Sequence, residues 1–413
     1  MRGSFPGDPS SRKPERHEEL TGGDSLAALM IALAASSEVG YDAACRLAAA
    51  AAGVDRPAGG PASDWTRART RERSSLATAL GVTERRLAQA QAVAGRRTVI
   101  AAATLGRARR HGVRVLTRVC PEYPRRLLDL ELPPPVLWVR GALPAAPALA
   151  IVGPRNADRW ALEAARGFAH DLAARGLVIV SGFARGVDAA VHRAALEPAG
   201  GRTVAVLGCG HGVAYPREHH QLADPICVSG AVIAEFPCAT PPAAWRFPVR
   251  NRIIAALGLG TLVIQASLRS GSLITARLAL ELGREVYAVP GRPSDRRSRG
   301  SNLLLRDGAH VALDAASVLD TLPLSVLEQL ETATARKPEG AASTPGPGPA
   351  DPLTRRVLDA VGGGIEIEEL ARRLELGVDV LLGVLLQLEL DGRIRRLSRR
   401  EVGPATGPRR GSG

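Results

Sequence analysis

Two arginines flank an asparagine in residues 247–255, which read Phe-Pro-Val-Arg-Asn-Arg-Ile-Ile-Ala. The apolar residues that follow are typical of a helix, so Arg250, Asn251 and Arg252 should lie near its start. The free backbone N–H groups of a helix N-terminus bind anions, and a guanidinium matches phosphate oxygens with two parallel hydrogen bonds. The segment therefore predicts a phosphate-binding site, with a helix cap surrounded by surface charge as the alternative.

A second glycine and arginine pair follows the apolar run at residues 149–152. Gly153 would let the backbone approach a ligand closely, and Arg155 would then hold a phosphate through its planar fork. An ion pair between Arg155 and either Asp158 or another surface carboxylate is the alternative. Pro154 has no backbone N–H, so this turn offers one hydrogen-bond donor fewer.

Serines and glycines mark two further turns. Ser270, Gly271 and Ser272 would place hydroxyl and N–H donors at the start of a helix without steric bulk. Ser181 and Gly182 shape another turn after an apolar run. Together with the arginine-containing turns, they predict a phosphate-binding edge.

Apolar runs rich in β-branched residues precede most of these turns, and amphipathic stretches separate the runs. This alternation predicts an α/β fold, with a doubly wound, Rossmann-like parallel sheet covered on both faces. Ligands of such sheets bind outside the carboxyl ends of the strands, where the polar turns fall. The predicted strands are residues 149–152, 177–180, 203–207, 232–235, 261–265 and 285–289.

The order and spacing of the motifs over residues 120–320 resemble the DNA-processing protein A (DprA/Smf) family. The motifs are Gly-Pro-Arg at 153–155, Ser-Gly-Phe-Ala-Arg-Gly-Val-Asp at 181–188, Tyr-Pro at 215–216, Ala-Glu-Phe-Pro at 234–237, the segment 247–255, the turn 270–276 and Val-Pro-Gly at 289–291. The resemblance implies a homodimer that binds single-stranded DNA and passes it to a RecA-type recombinase during DNA uptake, natural transformation and recombination. The DNA-binding residues are then predicted to be Gly153, Arg155, Ser181, Gly182, Arg185, Phe247, Arg250, Asn251, Arg252, Ser270, Gly271 and Ser272.

Phe247 would either lean against a base or plug the edge of the sheet. Arg296, Arg297 and Arg299 lie in a loop that is either a mobile basic flap or merely solvated. The following Gly-Ser-Asn, residues 300–302, is expected to complete the rim of the site.

The composition of the remaining segments predicts further domains, a linker and two tails. Alanine and leucine at helical spacing predict an N-terminal helical domain, either a plain bundle or a SAM or helix-hairpin-helix-like module, as the resemblance implies. The helix predicted at 378–390 of a winged-helix-like unit is almost uncharged, which favours a protein partner over duplex DNA. The predicted boundaries are a disordered tail at 1–22, the helical domain at 23–112, a lead-in at 113–145, the Rossmann-like domain at 146–325, a flexible linker at 326–352, the winged-helix-like domain at 353–403 and a basic tail at 404–413.

The 413 residues carry a net charge of +13, which favours a polyanionic partner. Only Lys13 and Lys337 are lysines, so 52 of the 54 basic residues are arginine, and coding bias contributes to the charge. Aromatic residues make up 3 %, so bases would find few stacking platforms. The five cysteines have no Cys-x-x-Cys spacing, and residues 27–35 are too short an apolar run for a membrane span. We expect a soluble cytoplasmic protein without a metal or cofactor.

No catalytic constellation is predicted. Asp188 and His192 are spaced as neighbours on a helix, but no serine or cysteine nucleophile accompanies them, so capping and packing are expected. A Rossmann-like nucleoside monophosphate hydrolase is the alternative function. Its family pattern has a glutamate at the position that Thr275 occupies here, and a hydroxyl cannot replace that carboxylate as a general base. We therefore expect a binding protein and not an enzyme.

Overall fold

The computed structural model describes residues 24–36, 38–52, 66 and 72–335. Further along the chain it describes residues 357, 360–361, 365–374, 381, 385, 388, 394–396 and 401–404. The chain divides into two compact units, Met1–Ala335 and Arg336–Gly413. The predicted tail at 1–22, and all but the first residue of the tail at 404–413, lie outside the described residues.

A nine-stranded sheet forms the centre of the first unit. Its strands are β1 (Arg114–Thr117), β2 (Val136–Gly141), β3 (Ala148–Val152), β4 (Val178–Ser181), β5 (Arg202–Leu207), β6 (Ala231–Ala234), β7 (Gly260–Val263), β8 (Glu285–Ala288) and β9 (His310–Val311). Their order across the sheet is β1-β2-β6-β5-β4-β3-β7-β8-β9. Across the sheet, the seven strands β6-β5-β4-β3-β7-β8-β9 are parallel to one another. Strands β1 and β2 extend the sheet in antiparallel pairing.

The predicted doubly wound sheet is confirmed, and each of the six predicted strands lies within two residues of an observed one. The predicted lead-in at 113–145 contributes β1 and β2 to the same sheet. Trp138 in β2 is fully buried and lies opposite Ala234 of β6. Residues 113–145 were predicted only as a lead-in, because β1 and β2 pair in antiparallel fashion and lack the strand–helix alternation. The parallel strand β9 was not predicted, since it has only two residues.

Helices cover both faces of the sheet, and the strands alternate between them. Leu149 and Ile151 of β3 face α6 (Arg159–Ala174) and α7 (Val187–Ala195), together with α12 (Ala315–Leu319) and α13 (Leu324–Ala335). Ala150 and Val152 of β3 face α9 (Arg246–Leu257) and α10 (Gly271–Glu281). This alternation is the two-residue period of a strand buried on both sides. The remaining helices here are α8 (His220–Ser229) and α11 (Arg299–Arg306).

The N-terminal helices share a hydrophobic core with the β1–β2–β6–β5 end of the sheet. They are α1 (Asp24–Ala35), α2 (Tyr41–Ala52), α3 (Arg73–Ala79), α4 (Glu84–Gly95) and α5 (Arg97–Arg110). Met30, Leu33 and Leu47 of these helices belong to the same buried cluster as Trp138 and Val232. The helical region and the sheet therefore form one packed body.

The second unit contains a three-stranded sheet, ordered β10-β12-β11, and a helix. These elements are β10 (Ile365–Glu366), α14 (Ile367–Leu374), β11 (Ile394–Arg396) and β12 (Glu401–Pro404). Leu370 packs in a cluster with Leu381, Leu385 and Leu388, whose spacing is helical. Helix α13 of the first unit covers residues 326–335 of the predicted linker, and residues 336–352 lie outside the described residues.

Candidate nucleic-acid interface

A large cavity at the carboxyl ends of the strands lies where the strand order reverses. Strand β3 pairs with β4 on one side and with β7 on the other, and this is where doubly wound sheets bind ligands. The cavity has a volume of about 670 Å³. Eight predicted site residues line it: Gly153, Arg155, Phe247, Arg250, Asn251, Ser270, Gly271 and Ser272. The fold thus brings three of the predicted turns to one place.

The turn after β3 is held by a close backbone crossing. A Cβ on Gly153 would lie 2.5 Å from the Val187 side chain, and one on Gly186 would lie 2.4 Å from the carbonyl oxygen of Pro154. The amide of Val187 donates to that same carbonyl oxygen at 3.2 Å. Gly186 also has a φ of 73°, which glycine adopts without strain. The crossing fixes the backbone from which Arg155 projects.

Arg155 is exposed, and its guanidinium carbon lies 4.8 Å from the centroid of the Phe247 ring. Among the described residues it forms no salt bridge, and Asp158 pairs with Arg297 at 2.9 Å instead. The alternative of an Arg155–Asp158 ion pair is therefore wrong. Arg155 keeps its full hydrogen-bonding fork for a ligand.

Arg250 occupies a different environment from the one expected. Helix α9 begins at Arg246, so Arg250 lies one turn inside the helix and faces the sheet. Only 3 % of Arg250 is exposed, and its guanidinium donates to the carbonyl oxygens of Gly182 and Val206. Burial lowers the pKa of Arg250 to about 10, although the nearby Asp188 carboxylate opposes this shift. Arg250 thus braces the strand ends from inside.

Arg252 does not line this cavity. Its guanidinium forms a salt bridge with Glu235, bonds to the Tyr41 hydroxyl and donates to the carbonyl oxygen of Leu132 at 2.8 Å. Burial lowers the pKa of Arg252, but Glu235 and Tyr41 raise it more strongly, so the pKa lies above its ordinary value. The side chains of Arg252 and Glu235 are 13 % and 1 % exposed. Arg252 therefore anchors α9 to the N-terminal helices, which no local sequence pattern could indicate.

The third turn forms the N-terminus of α10. Ser270 caps this helix, since its hydroxyl oxygen accepts from the amide of Ser272 at 3.3 Å. Gly271 is exposed, and a Cβ there would meet no atom within 4 Å. Asn251 approaches it from α9, with its amide nitrogen 3.5 Å from the Gly271 carbonyl oxygen. A capped helix N-terminus with open space beside it suits an anion.

A second cavity of about 340 Å³ adjoins the first one. Gly182 and Arg185 line it, and it shares Arg155, Tyr215 and Phe247 with the larger cavity. The rings of Tyr215 and Phe247 lie 5.5 Å apart and stand between the two spaces. Arg185 pairs with the exposed Glu218 at 2.5 Å. The predicted residue Ser181 lines neither cavity, because it is fully buried and donates to the Ile151 carbonyl oxygen at 2.7 Å.

Phe247 plugs the edge of the sheet, which is one of the two roles considered for it. A Cβ on Gly208 would lie 2.6 Å from the Phe247 ring, so the ring fills the space above this glycine. The same ring lines both cavities. Pro242, Ala243 and Ala244 also line the larger cavity, and no sequence motif marked them. Tyr215 and Ile274 line it too, and they lie within the motifs at 215–216 and 270–276.

Asp188 and His192 have the structural roles predicted for them. Asp188 accepts from the amide of Ala184 at 3.2 Å. Nδ1 of His192 donates to the hydroxyl oxygen of Thr203 at 2.7 Å, since that hydroxyl itself donates to a carbonyl oxygen. Burial lowers the pKa of His192 to about 3, so the imidazole is neutral. No group of three or more histidine, cysteine or carboxylate side chains in the described part of the chain could hold a metal ion.

The arginine loop and the expected rim differ from their predictions. Arg297 is tied to Asp158, while Arg296 and Arg299 are exposed. Asn302 donates to and accepts from the backbone of Gly291, with both distances at 3.0 Å. Residues 300–302 therefore brace the turn after β8 and do not line the cavity.

Fold and site define a class: a doubly wound α/β protein with an arginine-containing cleft at its topological switch point. Residues 114–323 match the family model described as DNA recombination-mediator protein A, and residues 341–398 match the DprA winged helix domain. The chain belongs to the DNA recombination-mediator protein A (DprA/Smf) family. The winged-helix prediction for the C-terminal unit is confirmed.

Relatives agree with this assignment. Protein Smf of Escherichia coli is 39 % identical over 66 % of this chain and 72 % of its own length. DNA processing protein DprA of Bacillus subtilis is 38 % identical over 52 % of this chain and 73 % of its own. The crystal structure of DNA processing protein A from Streptococcus pneumoniae has a TM-score of 0.58 and 28 % identity, and it covers 72 % of this chain and 98 % of that one. Among the described residues, no helix is long and apolar enough to cross a membrane.

Proposed function

We propose that the protein binds single-stranded DNA across the two cavities and loads a RecA-type recombinase onto the strand during DNA uptake and recombination. The observation that carries the proposal is that the exposed Arg155, which forms no salt bridge among the described residues, lines the same cavity as the capped N-terminus of α10. Both features bind phosphate oxygens without reading the base sequence. The family membership supports a role in recombination.

The aromatic wall favours a single strand over a duplex. Tyr215 is 38 % exposed, and it stands with Phe247 between the two cavities. Aromatic rings stack on the bases of unpaired strands, whereas the bases of a duplex are already stacked on each other. Consecutive phosphates on the two sides of this wall would place a base against it. Aromatic residues make up only 3 % of the chain, so phosphate contacts should supply most of the affinity.

We propose that binding involves no covalent chemistry. Asp188 is the one carboxylate among the described residues that line the larger cavity, and the Ala184 amide and Arg250 already engage it. Thr275 is 1 % exposed and carries no carboxylate. The purified protein should therefore release no free base from AMP.

The test compares binding and loading in one preparation. Fluorescence anisotropy should show that the protein binds a fluorescently labelled oligonucleotide more tightly as a single strand than as a duplex. Equal affinity for the two forms would reject the binding proposal. The protein should also shorten the lag of RecA filament formation on DNA coated with single-strand-binding protein. Tight DNA binding without faster loading would reject only the recombinase role. Light scattering on the same sample tests whether the protein is a homodimer, as the family resemblance implies.

A further inference from the structure

A third cavity, of about 250 Å³, lies where the N-terminal helices meet the sheet. The end of α1 and the start of α2 form one side, including Leu33 and Tyr41. Residues that follow β6 form the other side, including Phe236, Trp245 and Arg246. The function proposed above uses none of these side chains.

Three aromatic rings surround this space. The ring centroids of Tyr41 and Phe236 lie 5.8 Å apart, those of Tyr41 and Trp245 lie 6.4 Å apart, and those of Phe236 and Trp245 lie 6.0 Å apart. The Arg246 guanidinium lies over both Phe236 and Trp245. Trp245 is nevertheless 50 % exposed, so part of the cluster is open to a ligand. Such a wall suits a flat, π-rich molecule.

Two buried polar atoms at the cavity have no hydrogen-bond partner among the described residues. One is Oε2 of Glu235, a residue that is only 3 % exposed, and the other is Nε of Arg246. The second carboxylate oxygen of Glu235 is already bonded to Tyr41 and Arg252. Buried polar atoms are almost always satisfied in native proteins. The free acceptor and donor indicate a ligand that supplies both an N–H group and an acceptor.

We propose that this cavity receives one unpaired base of the bound strand, and that it prefers guanine. Guanine alone among the bases presents two adjacent N–H donors on its pairing edge, which a carboxylate oxygen accepts. Its O6 and N7 are the preferred acceptors for arginine. The flat ring would stack on the aromatic cluster. This inference rests on the proposed strand binding.

The chain connects the two places directly. Pro242 and Ala243 line the large cavity at the sheet edge, while Trp245 and Arg246 line the base cavity. Phe247 returns to the sheet edge. One short segment therefore forms a wall of both cavities, and a strand that crosses it can place its phosphates on one side and a base on the other.

The experiment uses the full-length protein and dT oligonucleotides that carry one dG, dA or dC at the centre. The dG oligonucleotide should bind about fivefold or more tightly than all-dT. Trp245→Ala and Arg246→Met should remove this preference and leave all-dT affinity unchanged. Trp160→Ala is the matched control, because Trp160 is also exposed, at 42 %, and lines none of these cavities.

Equal binding of all oligonucleotides, or an intact dG preference in both variants, would overturn the proposal while leaving strand binding in place. A protein that binds no single strand at all would instead refute the function proposed above. Calorimetric titration with guanosine separates the two cases, since it needs no strand. Guanosine should bind the wild type and the Trp160→Ala protein, but not Arg246→Met, and the absence of guanosine binding to the wild type would contradict a base cavity.

Discussion

Arg155→Ala should weaken strand binding, whereas Arg250→Ala should destabilise the fold, although both residues line the same cavity. Arg250 is buried beside Asp188: a Cβ on Gly182 would lie 2.7 Å from both Nη2 of Arg250 and Oδ2 of Asp188. Removal of Arg250 leaves that carboxylate without its cation and two carbonyl oxygens without their donor. A buried charge left without a compensating charge nearby costs about 3–5 kcal/mol. At about 2–4 °C per kcal/mol, the melting temperature should fall by roughly 10 °C.

Arg155→Ala should leave the free energy of unfolding within about 0.5 kcal/mol of wild type, because the side chain is exposed and forms no salt bridge with any described residue. It should weaken single-strand binding instead. Each lost phosphate contact flattens the slope of log affinity against log salt by about 0.7. Arg155 therefore contributes to binding, whereas Arg250 contributes to the stability of the site.

The assay pairs thermal unfolding with anisotropy titrations at several salt concentrations. Arg166→Ala is the matched control, since Arg166 is an exposed arginine on α6 that lies outside both cavities. Asp188→Asn should restore part of the stability of Arg250→Ala, because it removes the uncompensated charge. A wild-type melting temperature for Arg250→Ala, or a wild-type salt slope for Arg155→Ala, would refute this division of roles.

Two further outcomes are expected. Gly186→Ala should lower both stability and strand affinity more than Gly200→Ala does. Both glycines have positive φ, 73° and 81°, but only the Cβ at residue 186 would meet the backbone of the 153–155 turn. Comparable losses in the two variants, measured by urea unfolding and anisotropy, would contradict the importance of the crossing. His192, whose burial lowers its pKa from 6.5 to about 3, binds a proton more readily in the unfolded chain. Stability is therefore fully present above pH 6.5 and falls by up to about 1.4 kcal/mol per pH unit between pH 6.5 and 3. Urea unfolding of His192→Gln should show a shallower acid dependence, and an unchanged slope would exclude this histidine as the cause.

The parallel sheet could be predicted from the sequence because buried strands and amphipathic helices leave periodic patterns. The position of the site followed from the same patterns, since polar turns after parallel strands meet at one edge. The direction of each side chain could not be predicted. The Arg250 guanidinium bonds to carbonyl oxygens 68 and 44 residues away in the chain. The local sequence Arg-Asn-Arg gives no information about such distant partners.

Arg252 is a second residue whose side-chain direction could not be predicted from the sequence. Its spacing from Arg250 suggested a shared phosphate site, but residues two apart on a helix project in different directions. Arg250 points to the strand ends, and Arg252 points to Glu235 and Tyr41. Arg155, which follows a strand and not a helix start, is the predicted arginine that remains exposed and unpaired among the described residues.

The bond between Tyr41 and Arg252 joins residues 211 positions apart, which has a consequence for synthesis on the ribosome. At about 5–20 residues per second, Tyr41 is made roughly 10–40 s before its partner. During most of that interval the early helices also lack β6, a strand that shares their core. Their alanine-rich apolar faces stay uncovered until the middle of the chain emerges. The nascent N-terminal helices therefore expose apolar surface to solvent while translation proceeds.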